Sequence, residues 1–165
     1  EGRWEKVARA LAEHYELPPQ PKILDIGCGK GFLLYDFLKV IPDAEIHGID
    51  SSSYALANSK EEIRDRLQLG NATALPWPDD HFDLVISINT LHCLHAQELD
   101  PALREMERVG KANKYLCVES YRNEQEKANL LYWQVTCEAF NTPEAWQWWF
   151  EQTGYSGDHS FIYFE

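Results

Sequence analysis

Ile23-Leu24-Asp25-Ile26-Gly27-Cys28-Gly29-Lys30-Gly31-Phe32 is a short apolar run that breaks into three alternating glycines. The run predicts a buried strand over 22–26. A helix over 31–40, stopped at Ile41-Pro42, follows the glycine turn. Strand, turn and helix form the opening unit of an open α/β sheet, whose ligands bind beyond the carboxyl ends of the strands where strand order reverses. The turn is therefore where the chemistry is read. A dinucleotide turn requires GxGxxG, so that a pyrophosphate rests on the helix N-terminus. Here the spacing is GxGxG, Phe32 stands where the third glycine would fall, and Asp25 sets a carboxylate beside the turn, which disfavours a phosphate. A P-loop is excluded because no Gly-Lys-Ser/Thr closes the turn.

Outward from this unit the pattern repeats. Residues 45–49 predict a strand, 52–66 a helix and 67–69 a short strand. The turn-rich Leu75-Pro76-Trp77-Pro78-Asp79-Asp80 leads to the clearest buried strand, 82–88. Asp100 reads as an N-cap with Pro101 at the first helical position, Leu99, Leu103 and Met106 mark the apolar face, and Gly110 ends that helix. A fifth strand is expected over 115–119. Ahead of the first strand, Trp4, Val7, Ala8, Leu11, Ala12 and Tyr15 recur at helical spacing. Beyond Ser120, helices are expected over 124–138 and from Thr142-Pro143-Glu144 to Gly154, then a terminal strand over 161–164. Strands alternating with helices imply a parallel sheet covered on both faces, with right-handed crossovers.

The chain of 165 residues is one domain's worth of sequence, with no repeat and no linker, so 1–165 is treated as a single domain. It opens at Glu1 with neither methionine nor leader, and we expect an N-terminal segment to be missing. Its 44% apolar content supports a core, and no apolar run reaches membrane-spanning length. Against 15 basic residues stand 27 acidic ones, a formal charge of -12 that repels nucleic acid and anionic lipid. Neither nucleic acid nor membrane is expected as a partner. Cys28, Cys93, Cys117 and Cys137 form no CxxC pair, and His92 and His95 no HExxH, so no metal site is expected and a reduced, cytoplasmic setting is.

Asp25-x-Gly27-x-Gly29-x-Gly31 resembles the first motif of the class I S-adenosylmethionine-dependent methyltransferases. Three further segments resemble the same family in the same order. Asp50 closes Ile46-His47-Gly48-Ile49-Asp50, about 20 residues past the glycines, where an acid accepts from both ribose hydroxyls. Gly70-Asn71-Ala72 resembles the adenine-binding turn, and residues 78–85 resemble the approach to the fourth strand. The resemblance spans nearly the whole chain. It implies a Rossmann-like, doubly wound, mostly parallel sheet of seven strands whose last strand is antiparallel, the sixth falling near 137–140. It implies S-adenosyl-L-methionine as cofactor, held by Asp25, Gly27, Cys28, Gly29, Gly31, Asp50, Ser51, Asn71, Ala72 and Asn89. Residues 87–92 and 120–124 resemble a small-molecule branch, the type 11 methyltransferases, which implies a small-molecule methyl acceptor. Asn71 departs from the pattern, since relatives usually carry aspartate there; its amide oxygen still accepts from the adenine amine, without charge assistance.

The chemistry sets the remaining candidates. Methyl transfer is an in-line displacement on an activated carbon, so the protein must chiefly align the nucleophile and exclude water. Where the acceptor carries a proton, His92 at the mouth of the fourth strand is the candidate catalytic base, its other reading being a hydrogen-bonded structural histidine. Asp50 alone also reads as a helix cap. Trp146, Trp148, Trp149 and Phe150 read either as a cage for a cation or as packing on the sheet. Tyr121, Arg122, Tyr132 and Trp133 are candidates for the acceptor pocket, Arg122 reading equally as a partner for Glu119 or Glu124. The rival to an enzyme is a catalytically silent subunit of the same fold that binds or activates a partner.

Overall fold

The computed structural model describes residues 2–165. Its centre is a sheet of β1 (Lys22–Ile26), β2 (Glu45–Asp50), β3 (Leu67–Leu69), β4 (Phe82–Ile88), β5 (Gly110–Glu119) and β6 (Asp158–Ile162). The strand order is β3-β2-β1-β4-β5-β6, and every pairing is parallel. Around it lie α1 (Glu5–His14), α2 (Phe32–Val40), α3 (Ser53–Ala57), α4 (Ala96–Val109), α5 (Glu124–Trp133) and α6 (Pro143–Thr153).

Alternation along the strands divides the core in two. Ile23, Leu84 and Ile86 face one side and bury against Ala8 and Leu11 of α1 and Leu34 and Phe37 of α2. Leu24, Ile26 and Val85 face the other and bury against Leu103 and Met106 of α4 and Trp146 and Phe150 of α6. Because β1 and β4 are covered on both faces, they read as largely apolar runs, interrupted by Asp25 in β1 and by Asp83 and Ser87 in β4.

The sequence expectations need correction in several places. The sheet has six strands, not seven, and none is antiparallel. Residues 137–140 form no strand: Glu138 and Ala139 instead donate their amides to the carbonyl of His92, both at 2.9 Å. After α6, Gly154 at φ +73 ends the helix and the chain re-enters beside β5 in parallel, as a helical crossover dictates. The helix expected over 52–66 is a short α3 followed by a 3₁₀ segment over Glu61–Arg66. Helix α4 starts at Ala96, not at Asp100, so Pro101 lies inside it and the Gln97 carbonyl lacks its usual donor. Finally, α5 stops at Trp133, five residues before the expected end at 138.

Candidate functional site

The carboxyl ends of β1, β2 and β4 converge where the strand order reverses, and a crevice of two lobes opens there. One lobe, about 230 Å³, is lined by Trp4, Asp25, Cys28, Gly29, Phe32 and Asn89 among others. The second, about 200 Å³, is lined by Asp50, Ser51, Asn71, Ala72, Leu94 and Glu98 among others. Gly27 belongs to both.

The glycine turn is built by backbone geometry. Gly27 adopts φ +78, donates to the Ile49 carbonyl at 2.8 Å and accepts from Thr90 Oγ1 at 3.4 Å. A β-carbon on Gly27 would lie 2.0 Å from Thr90 Oγ1, so no larger residue fits. Gly29, at φ +53, has nothing within 4 Å of that position and leaves its flank open to the crevice. Its N–H donates to Asp50 Oδ2 at 2.7 Å, while Ser52 N–H donates to Oδ1 at 2.8 Å. Asp50 is thereby immobilised, and each oxygen keeps a lone pair for a ligand. The side chain that caps α3 is that of Ser52, which accepts from Ala55 N–H. Gly31 lies outside both lobes and lets α2 approach Ile63 and Leu67.

Asp25 is buried, and that burial, reinforced by the neighbouring Asp50, pushes its carboxyl up to about 7. Burial likewise raises the Cys28 thiol, with Asp25 and Asp50 adding to it, so Cys28 stays protonated at neutral pH. Asn89 sits at φ +56, a conformation asparagine tolerates better than most residues, with its N–H on the Cys117 carbonyl at 2.9 Å. Asn71 is exposed, and its Oδ1 accepts from Thr73 N–H at 3.1 Å.

His92 lines neither lobe. Its ring is 2% exposed, Nδ1 accepts from Glu119 N–H at 3.3 Å, and Nε2 faces Glu119 Oε2 at 3.4 Å. Burial lowers its pKa to about 4, which keeps the ring neutral at pH 7, and burial raises that of Glu119. Gln134 Nε2 donates to Glu119 Oε1, completing a buried cluster at the end of β5.

The aromatic cage does not form: Trp146 and Phe150 are in the core, stacked on each other, while Trp148 is exposed on the surface. Arg122 pairs with Glu126 and Glu165 and lies over the Tyr163 ring, not with Glu119 or Glu124. Tyr132 and Trp133 are exposed and line neither lobe. Among the described residues no group of three His, Cys, Asp or Glu side chains is arranged to hold a metal.

Trp4, Thr90, Leu94 and Glu98 join the site without having been singled out from the sequence. Thr90 adjoins Asn89 and was within reach of a reading of the strand mouth. Glu98 was not, because a helix starting at Asp100 would have left it outside the first turn.

Open sheet, glycine turn and paired acids form a crevice of the doubly wound α/β type, and comparison with known proteins places the chain in a family. Residues 19–154 match the family model described as "Methyltransferase domain". The chain belongs to this family, within the class I S-adenosylmethionine-dependent methyltransferases. It is 33% identical over 128 residues to the demethylmenaquinone methyltransferase of Symbiobacterium thermophilum, covering 72% of this chain and 50% of that protein. It is 35% identical over 111 residues to the malonyl-[acyl-carrier protein] O-methyltransferase of Halorhodospira halophila, covering 63% and 37%. The fold matches the YcgJ protein of Bacillus subtilis with a TM-score of 0.72 at 20% identity, over 93% of this chain and 68% of that one. The chain thus spans about half the length, or less, of these two curated relatives.

Proposed function

We propose that the crevice binds S-adenosyl-L-methionine and that the protein transfers its methyl group to a small-molecule acceptor. The observation that carries this reading is the second lobe: it is lined by Asp50 and Glu98 and by no Lys, Arg or His. Such a lobe rejects a phosphorylated nucleotide and accepts a neutral nucleoside. In this reading Asp50 holds the ribose diol, with Ser51, Asn71 and Ala72 around the base. Gly27, Cys28, Gly29, Asp25 and Asn89 surround the amino-acid end, where the Asp25 carboxyl meets an ammonium group.

When bound, the cofactor supplies a methyl group already activated by its sulfonium. The protein's share is to align and to exclude water. The closed approach of Gly27 to Thr90 and the two bonds that fix Asp50 make the crevice rigid before any ligand arrives. A proton leaving the acceptor has no direct route to His92, whose two nitrogens face Glu119. We assign His92 to holding the end of β5. With a turnover assay across candidate acceptors, His92→Gln is expected to keep activity within about tenfold of wild type; a loss of 100-fold or more would restore the ring to the role of base.

The reading itself is tested by calorimetry with S-adenosyl-L-homocysteine. Micromolar binding to the wild type and a loss of at least about tenfold in Asp50→Ala are expected. Equal affinity in the two proteins would overturn it.

A further inference from the structure

Within the second lobe the hydrogen-bonding capacity is unequally committed. Thr90 Oγ1 is used on the carbonyls of Ile88 and Gly27, at 3.2 and 3.4 Å. Asn71 offers only a neutral amide, and its Oδ1 is turned back onto Thr73 N–H at 3.1 Å. Asp50 has one bond on each oxygen and faces the glycine turn. Glu98 is different. It comes from the first turn of α4, is half-buried, and its Oε2 accepts from His95 N–H at 3.1 Å, which anchors the side chain. Oε1 takes no hydrogen bond from the described residues, and no cation lines the lobe to neutralise it.

A carboxylate only accepts, so a ligand beside Glu98 must present a donor. Adenosine offers two kinds: the ribose hydroxyls, which the proposed function assigns to Asp50, and the exocyclic amine of the base. We propose that Glu98 recognises that amine and so supplies from α4 the charged acceptor that the adenine turn lacks at Asn71. Glu98 then sets the preference for adenine over a 6-oxopurine, whose carbonyl would face the carboxylate acceptor to acceptor. This inference rests on the cofactor reading above.

Calorimetry with S-adenosyl-L-homocysteine and its deaminated analogue, S-inosyl-L-homocysteine, separates the two claims. The wild type is expected to prefer the adenosyl compound by about 10- to 100-fold, the range of a hydrogen bond to a charged group. In Glu98→Ala the preference shrinks to within about threefold, because adenosyl affinity falls. Glu98→Gln, which keeps a single neutral acceptor oxygen where the carboxylate has two, lies between. Thermal melts of both variants establish that they are folded. Equal weakening of the two ligands in Glu98→Ala, or no weakening, overturns the assignment, as does a folded wild type that binds both ligands alike. A wild type that binds neither overturns the cofactor reading and this inference with it.

Discussion

Gly27 and Gly29 are both left-handed, and the chain uses them for different physical purposes. Gly27 is closed in by Thr90, whereas Gly29 looks into open space. Gly27→Ala forces a clash as well as a strained backbone and is expected to cost about 2–4 kcal/mol in a urea melt. Gly29→Ala is expected to cost only about 1 kcal/mol while losing most of its affinity for S-adenosyl-L-homocysteine, since the new methyl group occupies ligand space. Two melts and two titrations check the contrast. Asp25 gives a pH-dependent test. Its folded pKa, about 7, lies above its ordinary value of 3.8, so between these limits the folded state holds more proton than the unfolded. Its contribution to stability therefore falls as pH rises through that window. Asp25→Asn is expected to raise the stability of the unliganded protein at pH 8 by up to about 4 kcal/mol, with little gain near pH 4. The same substitution is expected to weaken cofactor binding. A gain that is equal at both pH values would refute the burial argument.

Among the elements, α4 does more than cover the sheet. Its last turn carries Arg108, which donates to the carbonyls of Leu75 and Trp77 and to Asp79 and Glu105. Glu105 in turn accepts from Leu75 N–H at 2.6 Å. The proline-rich approach to β4 is thereby latched to the helix that also delivers Glu98 to the crevice. Arg108→Ala leaves several carbonyls and a carboxylate without their donor and is expected to cost roughly 1–3 kcal/mol. Hydrogen exchange should then accelerate over 75–80 and leave α2 unchanged. The bounds of β1 and β4 were legible because a strand buried on both faces shows as a nearly continuous apolar run ending in turn residues. The start of α4 was not, because Asp100-Pro101 is a strong local start signal. Packing of Leu99 and Ala102 into the core, with Glu98 bonded to His95 N–H, starts the helix a turn earlier.

For the whole molecule, a parallel sheet with two covered faces concentrates stability at its centre. Leu24, Val85 and Ile86 are fully buried, whereas in three-residue β3 Leu69 is largely exposed and in β6 Asp158 and His159 are. Amides of β1 and β4 are expected to exchange only through global unfolding, and those of β3 through local opening at rates several orders of magnitude faster. Uniform protection across all six strands would contradict this gradient. The edge strands carry the difference from the seven-stranded expectation: after β5 the chain spends its length on α5, α6 and a loop held by His92, then closes the sheet with a single parallel strand.

The amino-acid sequence alone determined the α/β class, the glycine turn and the acids at the ends of the first two strands. Each of these depends on local rules: apolar periodicity, the conformational freedom of glycine, and the spacing between a turn and the next strand end. Tertiary structure alone decided which groups share the crevice. It buried His92 against Glu119, brought Glu98 and Trp4 to lobes far from them in the chain, and laid β6 parallel to β5. Those outcomes follow from packing between elements distant in sequence, where a side chain's neighbours, and hence its charge and reach, exist only once the sheet has closed over both cores.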